Sequence, residues 1–328
     1  MRLLDLISQG RAARVRADDG CELPAADRFS KAIRSCPLRY VLSDELVRCA
    51  TQLAYAEGDR LSACLDLIHV PAQSLWIEWA DGPRREALEE IPALDAKNTA
   101  PSRHSGALVT ALPNNFRSGH IRTFWSTLNE QAYLSPVVIT FDLDRPPPAL
   151  TPKDPSVWRG ESVLTMDGEP AIEEMLDHLR FHFDDDWAAY YHARCPTEAL
   201  RAAVLRTSLG GCAFDAPMLM AFFLLLGARD LLPRQEVSHE RLNHARRRDG
   251  KPPLLEHIEV SAPLDEAPAR GSGQPSESFR LSPRLHHVRG HLVRRGSTVF
   301  WRSPHLRGNG RLGQVRSRTV VLTFGQAA

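Results

Sequence analysis

The chain has 328 residues, 43% hydrophobic and 25% charged, enough apolar side chain to bury a core and too much for wholesale disorder. The formal net charge of +1 hides an asymmetry: residues 233–328 hold 17 Lys and Arg against 8 Asp and Glu, a balance of +9, and the remainder stands at −8. The longest apolar run, Ala216 to Ala228, has about 13 residues where a bilayer span needs roughly 20, so no membrane segment is expected.

Arg greatly outnumbers Lys, whose positions are Lys31, Lys97, Lys153 and Lys251 alone. A GC-rich genome accounts for such an excess, so it locates no site. The N-terminus is broken by Asp5 and has no apolar stretch ending in a cleavage site, which argues against a signal peptide. None of Cys21, Cys36, Cys49, Cys64, Cys195 and Cys212 forms a C-x-x-C pair. They read as reduced thiols in a cytoplasmic protein.

In chain order, Leu3, Leu4 and Ile7, then Phe29, Ala32 and Ile33, are spaced for helices facing a core. Ser43 can cap a helix through Leu46, Val47, Ala50, Leu53 and Ala54 that stops by Gly58. Strands follow at Ser74–Trp79, Gly106–Leu112, His120–Trp125 and Val137–Phe141, and the turns between them predict an antiparallel meander. Trp76 and Trp79 flank Glu78 in the first of these and read as packing. The Pro-rich passage Arg145–Pro155 reads as a linker. Ile172, Met175, Leu176, Leu179 and Phe183 share a helical face, with Asp184–Asp186 as a solvated end. Helices are also expected over Thr197–Thr207 and after Asp215, the latter carrying Met218, Leu219, Phe222, Phe223 and Leu226 and closed by Gly227 and Pro233.

A basic helix then spans about Ser238–Arg248, ending in Arg246, Arg247 and Arg248 before Gly250. Leu255–Val260 is a strand, 261–278 a loop rich in Ala, Pro, Gly and Ser, and three strands are expected near 286–294, 297–302 and 318–324. The resulting expectation is an α+β protein in three parts. Residues 1–150 are helical and antiparallel β, 151–232 are helical, and 233–328 form a basic, mostly antiparallel domain with a flexible loop at 261–284.

The densest chemistry lies in 283–308. One strand over 286–294 would place His287, Arg289 and His291 on one face, roughly 7 Å apart at alternate positions. A following hairpin would bring Trp301, His305 and Arg307 beside them. Several readings are open. Arg289, Arg294, Arg302 and Arg307 can hold phosphates of DNA or RNA while Trp301 stacks a base, with Arg246, Arg247 and Arg248 approaching a groove. His291 with His287 or His305 can supply the acid and base for metal-independent RNA cleavage, with Arg beside the phosphate. A metal held by His287, His291 and His305 is conceivable, but Gly290 and the β-branched neighbours disfavour the helix that an H-x-x-x-H pair needs. Finally, the same groups can serve only as internal links to the acidic part, leaving a module that binds a host protein. Gly308–Gly313 matches G-x-G-x-x-G by letter but opens no helix and reads as a turn, so no cofactor is expected.

The pieces Leu219–Leu232, Leu242–Leu254 with its Gly-Lys-Pro-Pro-Leu end, His287–His291 and Trp301–Gly308 together resemble a group of uncharacterised phage- and prophage-encoded proteins. The resemblance covers roughly the last 110 residues. It implies a mobile-element origin and marks Arg289, Gly290, His291 and Trp301 as the family-like positions, and it carries no assigned activity. The leading expectation is nucleic-acid binding through the basic C-terminal sheet.

Overall fold

The computed structural model describes residues 2–9, 15–16, 22–23, 26–91, 102–127, 132–145, 157–159, 175, 177–228, 231–262, 284–288, 291–296, 298–302, 305–307 and 309–314. For the elements within 15–28, 157–159, 284–292 and 299–314 the description is of the backbone. Two compact units are present: Met1–Gly227 with Leu232–Ala262, and Ala228–Leu231 with Pro263–Ala328.

In the first unit the expected meander forms as β4 (Ser74–Ala80), β5 (His104–Leu112), β6 (Asn115–Ser126) and β7 (Ala132–Asp142), each antiparallel to the next. It is the middle of a wider sheet. On one side lie β3 (Leu38–Leu42), β11 (His257–Val260) and β10 (Arg234–Val237), and on the other β9 (Leu179–Phe183) and β8 (Val157–Arg159). The nine strands run in the order β10-β11-β3-β4-β5-β6-β7-β9-β8, and only the β11–β3 and β3–β4 pairs are parallel. A separate short pair joins β1 (Val15–Arg16) to β2 (Glu22–Leu23). A mixed sheet with helices makes the chain α+β.

Period-two alternation sorts the sheet residues onto two faces. One face carries Trp76, Leu108, Phe124 and Leu134, which pack with α1 (Leu3–Ser8) and α2 (Ala26–Ser35) through Leu3, Leu4, Leu6, Ile7, Phe29 and Ile33. Gly106 belongs to this face for a steric reason, since a Cβ there would come within 2.6 Å of the Trp76 ring. The opposite face receives α3 (Asp44–Tyr55), α5 (Asp81–Glu89), α7 (Glu198–Cys212) and α8 (Asp215–Gly227), with Tyr40 of β3 edge-on to Phe222 of α8. The short α4 (Gly58–Ser62) follows α3, and α6 (Asp185–Arg194) packs on β9. Ser43 caps α3 as expected, its Oγ accepting from the Leu46 N–H at 3.3 Å, and Thr197 does the same for α7 through Leu200. Asp215 to Leu226 of α8 are all buried. Among the described residues no helix is long and apolar enough to cross a membrane.

The α1 face is fastened by a carboxylate. Glu78 is 1% exposed and accepts from the N–H groups of Leu3 and Leu4 at 2.8 Å each and from the Trp76 indole at 3.4 Å. Two N–H groups that a helix leaves unbonded at its start are thereby satisfied by one side chain. Burial holds the Glu78 carboxyl above the ordinary range, and the two backbone bonds pull it back. Arg2 continues the attachment to Glu259 of β11 at 2.6 Å, and Asp5 accepts from the Leu255 N–H at 3.1 Å.

Across the sheet, Arg84 of α5 is buried between two carboxylates. It meets Asp81 Oδ1 at 2.5 Å and Asp215 Oδ1 at 2.9 Å, and Arg85 reaches the other Asp81 oxygen at 3.0 Å. The two acids respond oppositely. Asp81 lies low because of the Arg84 charge and hydrogen bonds, whereas Asp215, buried with fewer partners, is pushed up to about 7. The cluster thus lowers one carboxyl and raises the other.

Several expectations are corrected. Leu179–Phe183 is a strand, because Leu179, Phe181 and Phe183 also alternate with Arg180 and His182, and pairing with β7 and β8 selects that period. Asp184 is 4% exposed and pairs with Arg122 at 3.2 Å, so it is no solvated cap. The basic part does not begin at 233, since β10 and β11 join the large sheet and residues 232–262 belong to the first unit. As expected, Cys36, Cys49, Cys64, Cys195 and Cys212 form no disulfide. Residues 146–155 of the Pro-rich passage, 263–283 of the expected loop and the strand expected at 318–324 lie outside the described residues.

Two outcomes follow for stability. Glu78→Ala leaves two buried N–H groups unbonded and should cost about 3 kcal/mol or more in urea unfolding, whereas an exposed control such as Glu45→Ala should cost under about 0.5 kcal/mol. For Asp215 the folded-state value lies above the unfolded one, so its share of stability is largest below about pH 4 and is lost as the pH rises toward 7. Asp215→Asn should therefore flatten the fall in stability between pH 4 and 7, read from melting temperatures of both proteins across that window.

Candidate nucleic-acid interface

The sheet edge carries a helical excursion. β10 leads into α9 (Glu240–Arg248), and the chain returns through 249–256 to β11, which pairs antiparallel with β10 from Arg234↔Val260 to Val237↔His257. None of the residues of α9 is buried. A helix of nine residues with no apolar face in a core needs local support, because isolated helices of that length are marginal.

That support is visible at both ends. At the C-terminus Gly250 takes φ +67°, and the N–H groups of Gly250 and Lys251 bond the carbonyls of Arg247 and Arg246 at 3.1 and 2.8 Å. This is the Schellman pattern, which places glycine where a side chain would be strained. At the middle, Asn243 donates to the Leu254 carbonyl at 2.9 Å and accepts from the Leu254 N–H at 2.7 Å. Arg246 donates from Nε to the Pro252 carbonyl at 2.8 Å. At the start, Ser238 accepts from the Glu240 N–H and donates to Glu256. Arg246–Arg248 in the last turn also suit the negative end of the helix dipole. Beneath this foot His257 is buried and held below the ordinary histidine value by desolvation, with its ring 5.4 Å from that of His239.

The anchored side of α9 is the one that carries Asn243 and Arg246. Arg241, His244, Arg247 and Arg248 are exposed, and at 100° per residue Arg241, His244 and Arg248 fall on one stripe with Arg247 beside it. Among the described residues no carboxylate forms an ion pair with any of the four arginines; the ion pair in this segment is Lys251 with Asp249 at 3.6 Å. The helix is about 14 Å long at 1.5 Å per residue, so these charges are concentrated over a few nucleotide spacings.

The second unit contains the other expected site residues. β12 (Arg284–Val288) pairs antiparallel with β15 (His305–Arg307) and parallel with β16 (Asn309–Gln314), and β13 (His291–Arg295) pairs antiparallel with β14 (Thr298–Arg302). The register is the same in both antiparallel ladders, from His286↔Arg307 through His291↔Arg302 to Arg295↔Thr298, with Gly296 at φ +60° in the turn. The strand expected over 286–294 is thus described as two runs, and Arg289 and Gly290 between them lie outside the described residues.

This register redistributes the expected face. Directly paired residues share a face of a ladder, so His305 and Arg307 go with Val288 and His286, and His287 goes with Leu306. The expectation that His287 shares a face with His305 and Arg307 is therefore corrected. In the other ladder His291 shares a face with Arg302, and Trp301 shares one with Leu292 and Arg294. Arg294 is exposed and donates from Nε to the Gly296 carbonyl at 3.0 Å. Gly308–Gly313, read as a turn, falls largely in β16. Among the described residues no group of three or more His, Cys, Asp or Glu is placed to hold a metal ion.

Comparison with protein families, with curated proteins and with solved structures found no match to the chain. The sequence did place Arg246, Arg247 and Arg248 at the end of a basic helix, where α9 has them. It did not find Asn243 as the clamp, because a polar residue in a basic helix has no distinguishing pattern until its partner eleven residues on is placed.

The clamp makes a local prediction. Asn243→Ala should raise amide exchange across 240–254 by about tenfold or more, equivalent to losing two hydrogen bonds of roughly 1 kcal/mol each, and leave the global melting temperature within about 2 °C. Unchanged exchange in that segment would show that α9 is held by something other than this amide.

Proposed function

We propose that the chain binds nucleic acid through α9, with Arg241, Arg247 and Arg248 as phosphate contacts and Arg246 at the base of the same patch. The observation that carries this reading is a helix with no buried residue whose four arginines lack ion-pair partners among the described residues. A core helix hides an apolar stripe, and a merely solvated helix alternates charge signs to satisfy itself. α9 does neither. Its scaffold is spent on holding the cations out, through the glycine cap, the Asn243 clamp and the turn of Arg246 toward Pro252.

Guanidinium groups arrayed this way suit phosphate oxygens, which they meet with two parallel N–H donors. Such contacts position a protein on the backbone and carry no base sequence by themselves. The arginines at β12–β16 of the second unit add to the +9 balance of residues 233–328 and fit the same role. A phage or prophage origin is the setting that the sequence resemblance implies for this activity.

The test is a salt-titrated anisotropy measurement with a labelled duplex of about 20 base pairs and an RNA of equal length. Affinity should fall linearly in log–log form with salt, by roughly 0.9 for each DNA phosphate contacted. The triple variant Arg241→Gln, Arg247→Gln, Arg248→Gln keeps good helix formers in place, and should weaken binding by more than about tenfold and reduce the slope by about two to three. Absent or salt-independent binding removes the reading, and an unchanged triple variant moves the interface away from α9.

A further inference from the structure

A second feature of the first unit is independent of α9. A cleft of about 600 Å³ opens at the carboxyl ends of the parallel strands β3 and β11, where Leu42 pairs with Val260. The volume falls in the range of roughly 300–1,000 Å³ that small-molecule sites occupy.

We propose that this cleft is a phosphomonoester site of nucleotide size. Its charge comes from two guanidiniums. Arg2 is held by Glu259 at 2.6 Å, which neutralises that carboxylate within the cleft and fixes the Arg2 side chain. Arg234, the first residue of β10, is exposed and bonds the Leu226 carbonyl through Nη2 at 3.1 Å. Among the described residues it has no carboxylate partner. The lining residues therefore sum to one excess positive charge. Ser43 and Ser261 add hydroxyls. The Ser43 oxygen already accepts from Leu46, which leaves its proton to donate.

The remainder of the wall excludes a bare ion as the natural occupant. Pro233 and Val260 give it an apolar part, and the volume greatly exceeds a phosphate group. A phosphate at Arg234 with a sugar or base against the apolar part uses both kinds of lining. Asp44 and Glu45, the acids in the first turn of α3, are exposed and are not part of the lining. The phosphomonoester can belong to a free nucleotide or to the end of a nucleic-acid strand, since both present the same dianion on a sugar.

Calorimetric titration of the full chain with adenosine 5′-monophosphate, adenosine and inorganic phosphate tests the site. The monophosphate should bind saturably, more tightly than either fragment. Arg234→Gln should weaken it by about tenfold or more, the loss of one charge-assisted contact. Ser261→Phe, which fills the cleft, should abolish it, with melting temperatures confirming that both variants fold. The triple glutamine variant of α9 should bind the monophosphate as the parent does, so failure here and failure of nucleic-acid binding at α9 are read separately. Displacement by a 5′-phosphorylated strand but not by its 5′-hydroxyl twin assigns the site to strand ends, and displacement by neither assigns it to free nucleotides; both uphold the phosphomonoester. No binding at about 10 mM monophosphate, adenosine binding as tightly as its monophosphate, or an unchanged Arg234→Gln variant overturns it.

Discussion

The carboxylate of Glu78 connects more of this molecule than any other single group. It is buried in the middle of the sheet, where an uncompensated charge is costly, and it is offset by two backbone N–H groups at the start of α1 and by an indole. Once α1 is fixed there, its other polar groups are brought to β11. Arg2 meets Glu259, and Asp5 meets the backbone at Leu255, just past the Leu254 backbone that Asn243 clamps. Burial raises the Asp5 carboxyl, and the Leu255 bond and nearby His239, His257 and Arg2 oppose the rise. Glu259, Val41 and Glu78 lie in one row across β11, β3 and β4, so the helix start is held by both ends of that row. The foot of the basic helix is thereby tied to the centre of the sheet.

The opposite face solves a similar problem with less complete compensation. Arg84 is shared between Asp81 and Asp215, and each acid begins a helix, α5 and α8 respectively. Asp81 gains a second guanidinium from Arg85, which reaches toward solvent. Asp215 has Arg84 as its sole ion-pair partner among the described residues, so desolvation dominates its titration. The cluster fastens the start of an almost wholly apolar helix to the edge of the meander. Breaking it at Arg84 would strand two buried acids, which is why the arginine matters more than either carboxylate.

The readability of these features follows the distance over which each is decided. Ser43 and Thr197 announce their helices because capping is settled within three residues. The meander is legible because alternation and turns are local. Leu179–Phe183 satisfies two periods at once, and its choice rests on strands β7 and β8. Glu78 and Asp215 look like ordinary charges in sequence, since their partners lie 74 and 75 residues away in the first case and on a different helix in the second. The hairpin of the second unit shows the same limit in another form. Alternation along one strand aligned His287 with His291, but which residues of the other arm join them is set by the register around Gly296.

The placement of α9 is itself an argument about what it does. A short helix beside an edge strand would be most economically stabilised by turning apolar residues onto the sheet, yet Leu242 is exposed and the anchored positions are Asn243 and Arg246. Hydrogen bonds to backbone fix an orientation without demanding an apolar surface beneath, so the helix keeps its geometry while its outer side stays fully hydrated. That combination is poor for stability, which gains little from exposed arginines, and good for meeting a charged partner without rearrangement. The β10–β11 ribbon that holds it also carries Arg234 at its far end, three residues from Val237 and so roughly 10 Å away along the strand. One edge of the sheet thus presents cations at both ends of the β10–β11 ribbon.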